Sequence, residues 1–500
     1  MKLYKTLTLA TAIGFATAMS GCSDWLDYTP KDKQLYEQQF STAEGFHTTV
    51  NGIYTQLTSS SLYGYNLSYG PIDAMGLSFD VGQANNTMYQ FKSANYTGDL
   101  ASSVLTSIWS TAYNTILNAN LVLQALEEFP DVLKEQDAAM IKAEMLAVRA
   151  YIHFDLTRIF GPIPSVKITG DAVPYADTPE ATKRDRLPAD VIINEHILVD
   201  LSEAQEIMKN YDPIINEGVL NTDGGSTAAN WERYRQLRLN YYAVTLLKAR
   251  AYLWLGDYPN ALAEARKLTD DPNVNNVFPW VVPNKLLANI TNPDCGFSTE
   301  CLFGFYRNDI SNIYKNSFSS SLSSDQLLQV RRNYINILFP ATSDYRYQTQ
   351  WRSAPSINAG YEFIKYQSFT PSSTAPEFWA TFYGLLRLPE AYYIAAESAL
   401  NEGDLDAARG YINTVLAARG VPDLDPSVTT ANLQKEIELE YVRELRGEGQ
   451  SFFLLKRLNA TVGEYYSPNK IHLDGSTGTG FDTPAKASRY NVPIPSGETY

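Results

Sequence analysis

Five carboxylates crowd one stretch near the C-terminus: Glu436, Glu438, Glu440, Glu444 and Glu448, with Arg443, Arg446 and Arg457 close by. Paired carboxyl groups are the tools of glycoside hydrolysis, but that chemistry needs them to face each other across a cleft, ~5–10 Å apart. Glu440, Glu444 and Glu448 are spaced by four and so stack along one helical face, where Arg443 and Lys456 are placed to pair with them. The expected outcome is an ion-pair network tying the last helices to the rest of the fold, not a catalytic pair. His47, His153, His196 and His472 are scattered, without a His-Glu-x-x-His or paired-Cys pattern, so no metal site is expected. No nucleophile stands in a recognisable setting and no Gly-rich phosphate loop follows a strand. The chain reads as a non-enzyme without a cofactor.

The remaining chemistry is aromatic. The 500 residues include 34 Tyr, 21 Phe and 7 Trp, and Tyr alone outnumbers Phe and Trp together. Tyr has an apolar face and a polar tip, which suits half-wet surfaces that stack on ligands such as sugars. The net charge of −15 argues against a phosphate-binding surface and hence against nucleic acid. Two long segments, about residues 59–99 and 271–378, are rich in Tyr, Asn, Ser, Gly and Pro and poor in charge. Loops of that length inside a folded domain are functional or disordered, and dense aromatics argue against disorder. The first offers Asp80, Asn85, Asn86, Tyr89, Phe91 and Tyr96 as stacking faces and hydroxyl acceptors, and the second offers Tyr306, Asn308, Tyr314, Trp351 and Trp379. These are the candidate ligand-binding residues.

The elements that must hold these loops are helical. Tyr241 to Leu255 runs as an apolar helix closed by Gly256, and a second helix starts after Asp257, Tyr258 and Pro259 with Ala261, Ala263 and Ala265. The same design returns at Tyr392 to Leu400, Gly403, Asp404, Ala407 and Ala408. A third helix, Ala143 to Phe160, repeats the Arg-Ala-Tyr of Arg250 to Tyr252 as Arg149, Ala150 and Tyr151. Small residues at helical spacing let antiparallel helices approach closely, and the Gly-Asp turn resembles a tetratricopeptide unit. The units are not tandem, so distant helix pairs must be brought together in space. The fold class expected is mostly α, a tetratricopeptide-like repeat scaffold with long irregular inserted loops.

The N-terminus carries a targeting signal. Lys2 and Lys5 precede an uncharged run from Leu7 to Met19, too short for a ~20-residue span. Met19, Ser20, Gly21 and Cys22 resemble a bacterial lipobox, in which cleavage before the cysteine leaves it to carry lipid. Residues 1–21 are thus read as a signal peptide and 22–500 as one domain, anchored through acyl chains such as palmitate on Cys22. Cys295 and Cys301 remain, six apart in a loop-like segment, and in an exported chain they are a possible disulfide.

Taken in order, these segments resemble the SusD/RagB family of outer-membrane nutrient-binding lipoproteins over nearly the whole chain. Ala43, Gly45, Asn51, Gly52, Tyr54 and Leu57 look like its first helix, and Trp109, Tyr113, Ile116, Asn118, Ala119 and Asn120 like the next. Ala143 to Pro164, with Phe160, Gly161 and Pro164, is similar to the helix that ends in its Phe-Gly-x-x-Pro turn. Leu386, Arg387, Glu390, Tyr392, Ala396 and Glu397 resemble its penultimate repeat, Glu440, Arg443, Glu444, Glu448, Gly449, Phe453 and Lys456 its charged helix, and Ile494, Pro495 and Glu498 its closing motif. Leu454, where Asp is usual, and Leu416, where Arg is common, are departures that read as packing changes. Ser23, Asp24 and Asp27 resemble the export tag of surface lipoproteins in the Bacteroidetes.

The resemblance implies a lipid-anchored receptor at the outer membrane that captures a nutrient and passes it to a SusC-like TonB-dependent transporter. The Tyr, Asn and Asp mix favours a glycan or oligosaccharide, because sugar sites combine stacking with neutral amides while peptide sites lean on backbone pairing and apolar pockets. The alternatives are a peptide-binding RagB-type receptor of the same architecture and an outer-membrane assembly scaffold. The scaffold reading predicts contiguous repeats and short loops, which this chain lacks.

Overall fold

Gly256 and Gly403 adopt φ of 75° and 87°, in the left-handed region where a Cβ costs ~1–2 kcal/mol. The aspartate after each glycine caps the following helix, Asp257 accepting from the Asn260 amide and Asp404 from the Ala407 amide. Each Gly-Asp pair therefore stops one helix and starts the next within two residues. The computed structural model describes residues 31–81, 85–180, 182–220, 231–287, 293–323, 325–354, 360–367, 378–460 and 489–495. The expected signal segment and Cys22 lie outside them.

The helices that carry the architecture are α1 (Lys31–Phe40), α2 (Ala43–Leu57), α3 (Asp99–Glu128), α4 (Glu135–Phe160), α5 (Leu198–Tyr211), α6 (Tyr241–Leu255), α7 (Tyr258–Thr269), α8 (Leu388–Asn401), α9 (Leu405–Ala418), α10 (Thr430–Glu444) and α11 (Ser451–Arg457). Each of α3 to α9 packs on the next, so that α8 lies directly against α7 although the second insertion separates them in sequence. Ala261, Ala265, Ala391, Ala395 and Ala399 are fully buried at these contacts, as their small size and helical spacing require. The chain is a tetratricopeptide-like helical scaffold. Short antiparallel strands sit in the connections: β1 (Asp171–Pro174) with β2 (Arg186–Pro188), β3 (Cys301–Tyr306) with β7 (Phe382–Arg387), and a sheet in the order β4 (Val330–Arg331), β6 (Gly360–Phe363), β5 (Trp351–Ala354).

The repeated Arg-Ala-Tyr has a structural explanation. Arg149 of α4 makes a bidentate pair with Asp200 of α5, 2.7 Å on each arm. Arg250 of α6 does the same with Glu390 of α8, at 2.7 and 2.6 Å. In both repeats the arginine clamps a neighbouring helix through a buried carboxylate.

The C-terminal carboxylates form the expected network, with two corrections. Glu440 accepts from Arg346 at 2.8 Å and Arg443 at 2.6 Å, and Glu444 accepts from Arg346, Arg387 and Arg419. Burial alone would raise the Glu444 carboxyl, but the three guanidiniums outweigh it and hold the group well below the usual carboxylate range. Glu448 does not share their helical face, because α10 ends at Glu444 and the chain turns through Gly447 and Gly449, both with positive φ. It pairs instead with Arg387 and Lys365. Lys456 reaches no carboxylate of that face: its ammonium donates to the carbonyls of Ile159 and Gly161, each at 2.8 Å, capping the C-terminal end of α4.

Much of the tyrosine content is core. Tyr63 stacks on Tyr151 with centroids 4.8 Å apart and donates to Asp155 at 2.9 Å. Tyr54 donates to Glu144, Tyr175 to Asp200 and Tyr441 to Glu390. A buried ring with a hydroxyl requires an acceptor, and the scaffold's buried carboxylates supply it.

Candidate functional site

The β3–β7 ladder ends in a cluster of rings. Tyr306, the last residue of β3, stands opposite Phe382, the first of β7, so their side chains lie on the same face with Cβ atoms ~5 Å apart. Phe378 stacks on Phe382, with centroids 4.8 Å apart and planes 27° from parallel. Phe382 is buried, but Tyr306 is 58% and Phe378 37% exposed, so the two flanking rings offer faces to solvent above a packed third. Gly304 makes this possible: a Cβ there would stand 2.7 Å from the Phe382 ring and 2.3 Å from the Tyr383 carbonyl oxygen.

Beside the rings lies a crevice of about 30 Å³ bounded by Phe382, Trp379, Tyr366, Gln367 and the Lys365–Glu448 pair. At ~10–15 Å³ of such volume per water, it has room for two or three water molecules and is too small for a sugar ring. Burial pushes the Lys365 ammonium down, with Glu448 opposing the shift. The Trp379 indole nitrogen is buried without a hydrogen-bond partner among the described residues, and the Lys285 ammonium lies 5.2 Å from that ring's centroid. Arg307 fixes the base of the ledge, donating to both oxygens of Asp309 at 2.9 Å and to the Gly64 carbonyl at 2.7 Å, which joins the second insertion to the first. The arrangement can stack a flat apolar face on two rings and meet hydroxyl groups with Gln367. Among the described residues it presents no pair of free carboxylates.

Two family models match non-overlapping parts of the chain. One, described as starch-binding and associating with the outer membrane, matches residues 24–211, and the SusD family model matches residues 344–500. Together they span more than two thirds of the sequence. The chain belongs to the SusD family. Solved structures agree in fold: a SusD-like carbohydrate binding protein from Bacteroides vulgatus aligns with a TM-score of 0.64 at 19% identity, covering 84% of each chain. A SusD superfamily protein from the same organism gives 0.65 at 23% identity, covering 86% of this chain and 92% of its own. One from Bacteroides thetaiotaomicron gives 0.65 at 21%, covering 91% and 96%. No curated protein sequence matches the chain.

The ring ledge of this SusD-family chain includes only part of the residues expected from sequence. Tyr306 and Trp379 lie at it, exposed and half-buried respectively, and Asn308 is exposed two residues beyond the end of β3. Asn85 and Tyr89 are exposed in the first insertion. The others face inward. Phe91 is fully buried, and Tyr96 is buried and donates to the Arg489 carbonyl at 2.7 Å, so neither offers a face for stacking. Asp80 pairs with Lys92 at 3.2 Å, both buried. Asn86 accepts from the Met88 amide within its own turn. Tyr314 is held between Glu362 and Arg352, and Trp351 packs on Phe363 at 4.8 Å. The sequence reading omitted Phe378, Phe382 and Gln367. Gly304 and Gly384, which face each other across the ladder, were the available clue to a place where rings lie flat on a strand pair.

The disulfide is corrected: Cys295 and Cys301 are free, buried thiols. Cys295 donates to the Thr349 carbonyl at 3.1 Å, while Cys301 opens β3 and lies beneath Gly384, where a Cβ would come within 2.5 Å of its sulfur. The two sulfurs are thus engaged on different partners, and burial pushes both thiols up, away from the reactive thiolate.

Proposed function

We propose that this chain is a non-catalytic surface receptor that binds a glycan or oligosaccharide on the Tyr306–Phe378 ledge and hands it to a SusC-like TonB-dependent transporter. The observation that carries the reading is the pair of exposed rings seated on a buried third beside a water-sized polar crevice. Family membership, and the description of a structural neighbour as a carbohydrate binding protein, support the same class of ligand. A non-catalytic role is supported by the engagement of Glu440, Glu444 and Glu448, each buried against guanidinium or ammonium groups and unavailable for proton transfer. Among the described residues no helix is long and apolar enough to cross a membrane, and anchoring is assigned to a lipid on Cys22. The test is a polysaccharide panel run in affinity gels with the chain starting at Ser23, with reducing ends assayed in parallel. Retardation by a glycan without release of reducing ends is expected. Release of reducing ends would overturn the receptor reading, and silence across the panel with retention of peptides would favour the peptide-binding alternative.

A further inference from the structure

A second cleft, of about 680 Å³, lies along the α3–α4 hairpin near its connecting turn, far larger than the crevice at the ledge and within the ~300–1,000 Å³ range of ligand sites. Its floor is aliphatic: Leu123 and Leu126 of α3 meet Ala138, Ala139 and Leu146 of α4. Among the described residues no aromatic ring lines it, so they offer none of the flat faces on which a sugar stacks. Its polar groups gather at the rim. Lys142 is matched by Glu203 at 2.6 Å, Arg149 by Asp200 and Arg184 by Asp177 at 3.2 Å, whereas Glu127 and Glu180 are exposed and form no salt bridge among the described residues, Arg184 acting on Glu180 only at longer range. The cleft therefore combines an apolar floor with a surplus of negative charge.

Its wall is pre-organised. The Asn120 side chain, itself buried, donates to the carbonyls of Ala176 and Thr178 at 3.0 and 3.1 Å and accepts from Arg149 at 2.9 Å. Arg149 also donates to the Asp177 carbonyl at 3.0 Å. Two buried polar side chains are thus committed to holding the segment after β1 against the helices. A shape fixed in this way loses little entropy on receiving a guest.

We infer that this cleft docks a polypeptide segment of a partner protein, an aliphatic run flanked by Lys or Arg, with its apolar side chains on the Leu123–Ala139 floor and its cations at Glu127 and Glu180. Such a segment follows the groove-binding mode of recognition, in which apolar anchors fill the floor and complementary charge at the rim sets register and association rate. The inference is independent of the ledge: a chain that bound no glycan would still bind here.

The probe is a short fluorescent peptide built of Leu and Lys, compared with its counterpart in which every Lys is Glu, read by anisotropy against the chain starting at Ser23. Ala139→Trp fills the floor without altering charge and is expected to weaken the Lys peptide by about tenfold, ~1.4 kcal/mol. Glu127→Lys with Glu180→Lys, both on the surface, is expected to weaken it similarly, while Glu402→Lys with Asp423→Lys, exposed carboxylates outside the cleft, leaves binding unchanged. Equal weakening by the two charge-reversed pairs would reduce the effect to general attraction by an acidic protein and overturn the inference. Equal binding of the Glu peptide, or rim variants without effect, would overturn it as well.

Discussion

Replacing Glu390 tests how the scaffold closes around its second insertion, because the Arg250–Glu390 clamp joins helices on either side of it. Arg250 is 4% and Glu390 1% exposed, the two bonds measure 2.7 and 2.6 Å, and Tyr441 adds a third donor to Glu390 at 3.2 Å. One arm of Arg250, Nη1, already lacks a partner among the described residues, so the guanidinium has no spare acceptor there when the carboxylate goes. Glu390→Leu therefore leaves a buried cation uncompensated and should cost ~3–5 kcal/mol, a large share of the ~5–15 kcal/mol that holds a protein folded. Arg250→Met should cost a similar amount for the mirror reason. Removing both charges together, as Arg250→Met with Glu390→Leu, should restore most of the loss, leaving about 1 kcal/mol for the Tyr441 hydroxyl that has lost its acceptor. The three variants, unfolded in urea and followed by tryptophan fluorescence, then give a coupling of at least ~3 kcal/mol. Single losses that simply add in the double variant, within ~0.5 kcal/mol, would refute the reasoning, since they would mean that the two charges do not compensate one another in a dry interface.

Three further outcomes are expected. Gly256→Ala and Gly403→Ala should each lower stability by ~1–2 kcal/mol, because open space surrounds both positions and only the left-handed φ opposes a side chain. Burial raises the Asp73 carboxyl to about 7, so the folded chain keeps that proton to higher pH than the unfolded one. Its contribution is present below about pH 4 and is lost between about pH 4 and 7, at up to ~1.4 kcal/mol per pH unit. Asp73→Asn should accordingly stabilise the chain at pH 8 but not at pH 4, and an equal effect at both would remove the assignment. In thiol titration without reductant, the chain starting at Ser23 should show two reactive groups in denaturant and almost none when folded; a loss of both in denaturant would mean a disulfide.

The scaffold was legible because its signals are local. Gly256-Asp257 and Gly403-Asp404 each encode a left-handed stop followed by a cap, and the alanines at helical spacing mark faces that close on a neighbour. The ring ledge was only partly legible because it rests on a strand pair formed across the second insertion, and the residues that complete it, Phe378 and Phe382, sit in the turn before β7 and at its first position. Tyrosine-rich composition was a poor guide to exposure. Whether a Tyr hydroxyl meets solvent or a distant acceptor, as Tyr63 meets Asp155 and Tyr96 the Arg489 carbonyl, is decided by tertiary packing that no local window contains. Lys456 was misassigned for a related reason: a helical register extended past Glu444 ignores the positive-φ glycines that end the helix and send the lysine to the end of α4.

The account turns on the ledge, and the direct measurement is calorimetric titration of the retained polysaccharide into the native chain and into Tyr306→Ala with Phe378→Ala. Both rings are exposed, so their removal should leave the thermal midpoint nearly unchanged while weakening binding by at least about tenfold, the ~1.4 kcal/mol or more expected for losing two aromatic contacts at a binding hot spot. Undiminished affinity in that variant, with binding lost instead in Tyr89→Ala, would contradict the account and place the ligand on the first insertion.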